Sequence, residues 1–389
     1  MDAIAELVAA RVDATVELLA ALVAEPSVEG SPAIERCLDI VAREVEPLAR
    51  EVERPSFDGL GALVARFGDG PPERRLILSG HVDVVPAEPG WTTPPFELTR
   101  DEGRVLGRGT CDMKGGIAAY VAALQALAEL ALLDGCAIEL ALTGDEEVGS
   151  RRGTIALLDH GLLTGRAAVC AEPTALDVFV GNRGLVWLEI EIRGCGGHAG
   201  LAHVLANPVP VAAALAVRLH ELELPALDER FDPPRPSLNV TRLAAGASPL
   251  AVNVVPDAAS LAIDRRLLPG EDVDAALAAV EALVEDVVRP PFAARVSVLR
   301  RWPPYVIAED EPIAQAAREA VMAAGAPGQF GTDLAANDSS WLAAAGIPTV
   351  LLGPGRPEAA HTTGESVDVD ELRVAAEAYA RLARSLTRA

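Results

Sequence analysis

Lysine is almost missing from this chain: among 389 residues Lys114 is the only one, and the other fixed positive charges are arginines. A bias toward arginine codons accounts for the excess of arginine. It does not account for the position of the one lysine, which falls inside the most suggestive motif of the sequence. Positive charge is scarce as well, with 33 Lys+Arg against 57 Asp+Glu, a net charge of −24 and a pI near 4.6. Such a surface repels phosphate backbones and anionic headgroups, which argues against nucleic-acid and membrane partners. An anionic substrate would need a locally positive site, and bound metal ions can supply one. The five cysteines are odd in number, widely spaced and without a Cys-x-x-Cys pair. This argues against a disulfide framework and against a cysteine-based structural zinc site. No apolar run approaches the ~18 residues of a membrane span. The N-terminal stretch 1–24 carries Asp2, Glu6, Arg11, Asp13 and Glu17 among its apolar residues. It reads as one amphipathic helix rather than a secretory signal, which places the protein in the cytoplasm.

Two common chemistries are missing too. There is no Gly-x-Ser-x-Gly nucleophile elbow and no phosphate-binding Gly-x4-Gly-Lys-[Ser/Thr] loop. Gly194-Cys-Gly-Gly-His-Ala199 imitates a dinucleotide fingerprint. The strand before it is half exposed, however, and no acidic residue closes a second strand at the proper distance. Cys195 with His198 lacks an orienting group for nucleophilic catalysis.

What is present is ample core, with 50% apolar residues. At ~150 residues per domain the length predicts two domains. Helices are expected over 1–24, from 33 to about 50, and over 117–133 and 152–160; apolar strand-like runs occupy 62–67, 76–85, 138–143, 167–171 and 349–352. Strands alternating with helices predict an α/β domain with a mostly parallel sheet covered on both faces. The pattern changes after about residue 175. Residues 184–193 alternate, with Val186, Leu188, Ile190 and Ile192 on one face and Trp187, Glu189, Glu191 and Arg193 on the other. That period of two marks a strand with one wet face. Helix 208–221, strands 238–243 and 258–267, helix 273–288 and strand 293–299 follow. The order β-α-β-β-α-β is that of an α+β ferredoxin-like sandwich. The expected division is 1–177 and 299–389 for the α/β domain, with 178–298 inserted.

Each apolar strand of the first domain runs into a histidine or a carboxylate. His81 and Asp83 follow 76–80, Glu146 and Glu147 follow 138–142, Glu172 follows 167–171, and His361 lies beyond 349–352. Asp112 precedes a helix. In open parallel sheets ligands bind beyond the carboxyl ends of the strands. Alone, each residue has an ordinary structural reading, Asp112 as a helix cap for example; together they predict a metal centre. Mixed imidazole and carboxylate donors suit zinc, and cobalt or manganese also fit. Two ions ~3.5–4 Å apart can share one carboxylate and a water. Asp83 is placed to fix the tautomer of His81. Of the adjacent Glu146 and Glu147, one can bind metal while the other takes the proton of the water. His160, His203 and His220 are read as structural.

The motifs Ser79-Gly-His-Val-Asp-Val-Val-Pro86, Trp91-Thr-Thr-Pro-Pro-Phe96, Gly107-Arg-Gly-Thr-Cys-Asp-Met-Lys-Gly115, Thr143-Gly-Asp-Glu-Glu-Val-Gly149, Glu172-Pro-Thr174 and Gly353-Pro-Gly355 with His361 are arranged in order along the chain. They resemble those of the metal-dependent amidohydrolase family of acetylornithine deacetylase, succinyl-diaminopimelate desuccinylase, aminoacylase and glutamate carboxypeptidase. The resemblance implies a metallopeptidase-type catalytic domain and a lid or dimerisation domain for 178–298. It implies two divalent ions, zinc with cobalt or manganese as substitutes. His81 and Glu172 would hold one ion, Glu147 and His361 the other, and Asp112 would bridge them. Glu146 would be the general base and Asp83 the residue orienting His81. A cis peptide is implied between Asp112 and Met113. His198 matches a lid histidine that reaches across a homodimer to polarise the scissile carbonyl. Asn253 and Arg266 match residues holding the substrate carboxylate, and Gly331 and Thr332 match a loop on the substrate side. One departure is Ala202, which stands where the family usually has a proline four residues after the lid histidine.

The activity so implied is hydrolysis of an N-acyl amino acid or a related small carboxylate. An exopeptidase or dipeptidase and an N-carbamoyl amidohydrolase are the enzymatic alternatives. A catalytically dead binding relative is the non-enzymatic one, and it predicts a missing ligand or base. The lid sheet is expected to offer an edge strand that pairing between copies would protect.

Overall fold

The computed structural model describes residues 2–246 and 252–387. They form two compact units. The first comprises Met1–Gly181, Val306–Thr332 and Asn337–Ala389, and the second Asn182–Tyr305 and Asp333–Ala336.

The centre of the first unit is a run of parallel strands in the spatial order Ile138–Thr143, Leu76–His81, Ala167–Cys170, Thr349–Leu351. Antiparallel strands Leu63–Phe67 and Val178–Asn182 flank it. Every residue of Leu76–His81 and Ile138–Thr143 is buried, which explains why these strands read as largely apolar runs rather than alternating ones; the exception, Glu139, is buried against Arg66 at 2.9 Å. Helices Lys114–Glu129 and Val369–Thr387 pack on the sheet through a tyrosine pair. The rings of Tyr120 and Tyr379 lie 4.4 Å apart. Their hydroxyls donate to the carbonyls of Val169 (2.9 Å) and Leu352 (2.6 Å), tying both helices to strand ends beside the site.

Two helices differ from the sequence expectation. The stretch 1–24 is two helices, Ala3–Ala10 and Val12–Val23, with Arg11 at the break. Arg11 reaches Gln125 and Glu129 on the neighbouring helix, and these contacts anchor the bend. The helix expected to run to about residue 50 is Ala33–Val45. It stops there because Pro47 has no N–H to donate to the carbonyl of Arg43, although Glu46 itself keeps helical angles (φ −52°, ψ −42°). Likewise the strand expected over 76–85 pairs only through His81. Beyond it Val82 and Val84 donate to the carbonyls of Thr143 and Ser27, outside the ladder.

The second unit holds a four-stranded antiparallel sheet in the order Ser237–Ala245, Ala258–Leu267, Gly184–Arg193, Ala293–Trp302. Counted along the chain this is second, third, first, fourth, the arrangement of a ferredoxin-like sandwich. Helices Pro208–His220 and Val273–Val287 pack on the face formed by Val186, Leu188, Ile190 and Ile192. Burial of each such side chain contributes roughly 1.5–3 kcal/mol. Both helices begin on side-chain caps: Asn207 accepts from Val209 N, and Asp272 from Asp274 N and Ala275 N. Among the described residues no helix is long and apolar enough to cross a membrane.

Lys114 opens the helix Lys114–Glu129 and is completely buried. Its Nζ donates to the carbonyls of Leu22 (2.8 Å) and Glu25 (2.9 Å), stapling the N-terminal helices to the start of this one. An amine-reactive ester is therefore expected to leave Lys114 unmodified in the folded protein and to modify it fully after denaturation. Peptide mass mapping reads both states, and because the chain has no other lysine the result is unambiguous. Modification of native protein at the rate of a free amine would disprove this burial.

Candidate metal centre

Four strand ends and one helix start bring the acidic and histidine residues of the first unit together. His81 Nδ1 lies 3.0 Å from the carbonyl oxygen of Asp83. A carbonyl only accepts, so Nδ1 carries a hydrogen, and Nε2 is the ring nitrogen turned toward the cluster, where a cation would displace its proton. That Nε2 is 3.2 Å from Asp112 Oδ1 and 3.8 Å from Glu172 Oε1. On the other side, His361 Nε2 is 3.2 Å from Asp112 Oδ2 and 3.1 Å from Glu147 Oε1. Asp112 thus turns one carboxylate oxygen toward each histidine, and each histidine has a further carboxylate of its own.

The backbone is adapted to this convergence. The Asp112–Met113 peptide is cis, and His361 sits at a φ of 61°. Gly353, between the strand Thr349–Leu351 and His361, passes so close to the chain at Glu172 that a Cβ would lie 2.4 Å from two carbonyl oxygens. No side chain fits there, and the glycine is what lets the two loops meet.

The electrostatics follow from burial. Among the carboxyls, desolvation pushes Glu146 well above the usual range and also raises Glu147. Burial pushes Asp112 the same way, but the two histidines override it and hold Asp112 well below the usual range. Hydrogen bonds to Asp112 and then Glu147 pull His361 up to about 10. Burial works against the His81 cation, yet Asp112 and Asp83 raise it well above its ordinary value. Without a cation, the cluster therefore retains protons that divalent ions would replace. Ligand atoms of His81, Asp112 and Glu147 all lie within 4.8 Å of one another. The donor set of histidine nitrogen and carboxylate oxygen is that of a zinc, cobalt or manganese centre, so the residues fit divalent metal ions.

Asp83 does more than the sequence indicates. Its side chain is 3.5 Å from His81 Nδ1 and accepts from the backbone N–H groups of Glu146 (3.3 Å) and Glu147 (3.0 Å). It thereby braces the turn that presents both glutamates, while its carbonyl carries the bond to His81. Glu365, fully buried four residues beyond His361, belongs to none of the motifs in the sequence. A lone acidic residue shortly after a candidate ligand was the available signal.

Three other candidates lie in the second unit. His198 is paired with Val254 in a two-stranded ladder and is exposed; its Nδ1 accepts from Gly200 N at 3.0 Å, leaving Nε2 to carry the hydrogen. Exposed Asn253 accepts, through its carbonyl, from Ala199 N at 2.8 Å. Arg266 is gripped by Asp264 through Nε (2.8 Å) and Nη2 (3.0 Å), and Asp264 also accepts from Trp187 Nε1 at 2.8 Å. Gly331 and Thr332 lie on the strand Phe330–Asp333, where a Cβ on Gly331 would meet the ring of Phe179 at 2.8 Å.

Residues 77–385 match peptidase family M20/M25/M40. Acetylornithine deacetylase of Myxococcus xanthus is 32% identical over 86% of this chain and 88% of its own length. Succinyl-diaminopimelate desuccinylase of Phenylobacterium zucineum is 32% identical over 96% of this chain and 98% of its own. Among solved structures, human carnosine dipeptidase 1 superimposes with a TM-score of 0.78 at 19% identity over 99% of both chains. An M20 family metallo-carboxypeptidase from Sulfolobus solfataricus gives a TM-score of 0.81 at 18% identity over 95% of this chain and 98% of its own. By the extent of the family match and of the two curated relatives, the chain belongs to peptidase family M20/M25/M40 and is a metal-dependent hydrolase of that family.

Proposed function

We propose that the chain hydrolyses the amide of N-acyl amino acids or related small carboxylates, using two divalent ions, zinc with cobalt or manganese as substitutes. The observation that carries this reading is Asp112, with one oxygen 3.2 Å from each of two histidines that have separate carboxylate neighbours. His81 and Glu172 would hold one ion, and Glu147 and His361 the other, with Asp112 shared. Deacylation is favoured over peptide cleavage because the deacylase relatives share 32% identity across most of the chain. The dipeptidase likeness, at 19%, concerns the fold alone.

When bound, the ions supply Lewis acidity to the amide carbonyl and the attacking water. Glu146, buried and held by its own N–H to Asp83, takes the proton of that water and passes it to the leaving amine. The Nε2–H of His198 is a donor suited to a developing oxyanion. In the homodimer we propose through the domain 178–298, it would come from the second copy. By the family resemblance, Asn253 and Arg266 would bind the substrate carboxylate, and Gly331 and Thr332 would belong to the loop on the substrate side. The five cysteines are all free, which supports a cytoplasmic location.

The test is amine release from a panel of N-acetyl, N-succinyl and N-carbamoyl amino acids and of dipeptides. Chelator-stripped protein is compared with the same protein given zinc, cobalt or manganese. Metal-restored release from N-acyl amino acids is the expected result. Release confined to dipeptides or to carbamoyl substrates would replace the deacylase reading by one of those activities. No metal binding and no release would end the hydrolytic reading of these residues.

A further inference from the structure

Glu365 is completely buried, and five hydrogen bonds run to it from residues 107–112. Its Oε1 accepts from the backbone N–H groups of Gly109 (2.9 Å), Cys111 (3.0 Å) and Asp112 (3.1 Å). Its Oε2 accepts from Arg108 Nη1 at 2.5 Å, and its backbone carbonyl from Gly107 N at 3.1 Å. Converging backbone N–H groups of this kind form a concave anion cradle. Here the anion is a side chain of the protein itself.

What the cradle joins decides its meaning. Strand Arg104–Leu106 leads into the loop that ends at Asp112. Strand Ser366–Asp368 leaves the loop that begins at His361. The two strands pair, Ser366 opposite Leu106 and Asp368 opposite Arg104. Glu365 stands at the head of this ladder and closes it over the Asp112 loop. Beyond that closure Asp112 Oδ2 and His361 Nε2 lie 3.2 Å apart. A buried ion pair serving stability alone would need only Oε2 and Arg108. Three donors on Oε1, one of them the N–H of Asp112, instead fix the backbone from which the carboxylate of Asp112 projects.

We propose that Glu365 is a positioning residue that sets Asp112 and His361 at their mutual distance and thereby sets the metal affinity of the centre. The proposal rests on the reading of Asp112 and His361 as metal ligands. Residues outside the coordination sphere that orient ligands typically change metal affinity by about 10–100-fold, and a loss of that size is expected for Glu365→Ala. Glu365→Gln keeps an oxygen for the three N–H groups but turns an NH2 toward Arg108, two donors face to face. It is expected to bind metal weakly for that reason. The double variant Arg108→Met/Glu365→Gln removes the clash and keeps the cradle filled, so it should recover most of the parental affinity.

The experiment uses the full chain of the parent and of the three variants, stripped with chelator and titrated with cobalt(II). Visible absorption reports the site, and circular dichroism and the denaturation midpoint report the fold. Weak binding by folded Glu365→Ala together with recovery in the double variant supports the proposal. If Glu365→Ala fails to fold, the comparison of Glu365→Gln with the double variant decides in the same way. Parental affinity in folded Glu365→Ala, or no recovery in the double variant while the parent binds cobalt, overturns the positioning role and leaves the ligand assignment standing. A parent that binds no cobalt overturns both.

Discussion

Replacing Glu146 by glutamine is expected to lower kcat by about 10²–10⁴-fold, the usual contribution of a general base, with metal content and fold unchanged. The substitution keeps shape and volume, and the bond that holds the turn is from the Glu146 backbone N–H to Asp83, which no side-chain change removes. What is lost is the capacity to take and return a proton. Burial pushes the Glu146 carboxyl well above its ordinary value, giving it more basic character than an exposed glutamate. The neighbouring glutamate supplies the contrast. Glu147 lies 3.1 Å from His361 Nε2 and is assigned as a ligand, so Glu147→Gln should lose metal as well as rate. Steady-state amine release and metal analysis on both variants separate the two roles. Near-normal turnover in Glu146→Gln, or loss of metal from it, would remove Glu146 from the place given to it here.

The parts of this molecule legible in its sequence are those where one residue type leaves little choice. Fully buried parallel strands are mostly apolar, so Leu76–His81 and Ile138–Thr143 stand out in spite of Glu139, which is buried in an ion pair with Arg66, and so do the charged residues at their ends. The alternation of Gly184–Arg193 announced a sheet with one wet face for the same reason. Bends and second contacts were hidden because they depend on partners distant in the chain. Arg11 breaks the first helix through residues more than a hundred positions away. Asp83 appeared to serve His81 alone, while its carboxylate also braces the backbone of Glu146 and Glu147. Glu365 carried no motif of its own, since its donors are backbone N–H groups that any sequence possesses. Side-chain ligands leave a signature in residue type, whereas groups that hold backbone leave one only in the folded chain.

Asp112→Asn is expected to reduce the metal content from about two ions per chain to one at most and to abolish measurable amine release. Asp112 Oδ1 and Oδ2 stand at the same 3.2 Å from His81 and His361. An asparagine of the same size must turn its NH2 toward one of these two histidines, and an amide nitrogen neither ligates an ion there nor offsets its charge. Both sides keep a histidine and a carboxylate, but only the side of the oxygen keeps a third ligand atom from residue 112. Elemental analysis of dialysed protein, run beside the activity assay, gives the counts. A centre built for a single ion makes a different prediction, with about one ion in the parent and none in the variant. Parental content and rate in Asp112→Asn would mean that the carboxylate is only a partner to the two histidines. A carboxylate kept charged between two histidines, with each oxygen committed to a different one, is disposed to share itself between two cations.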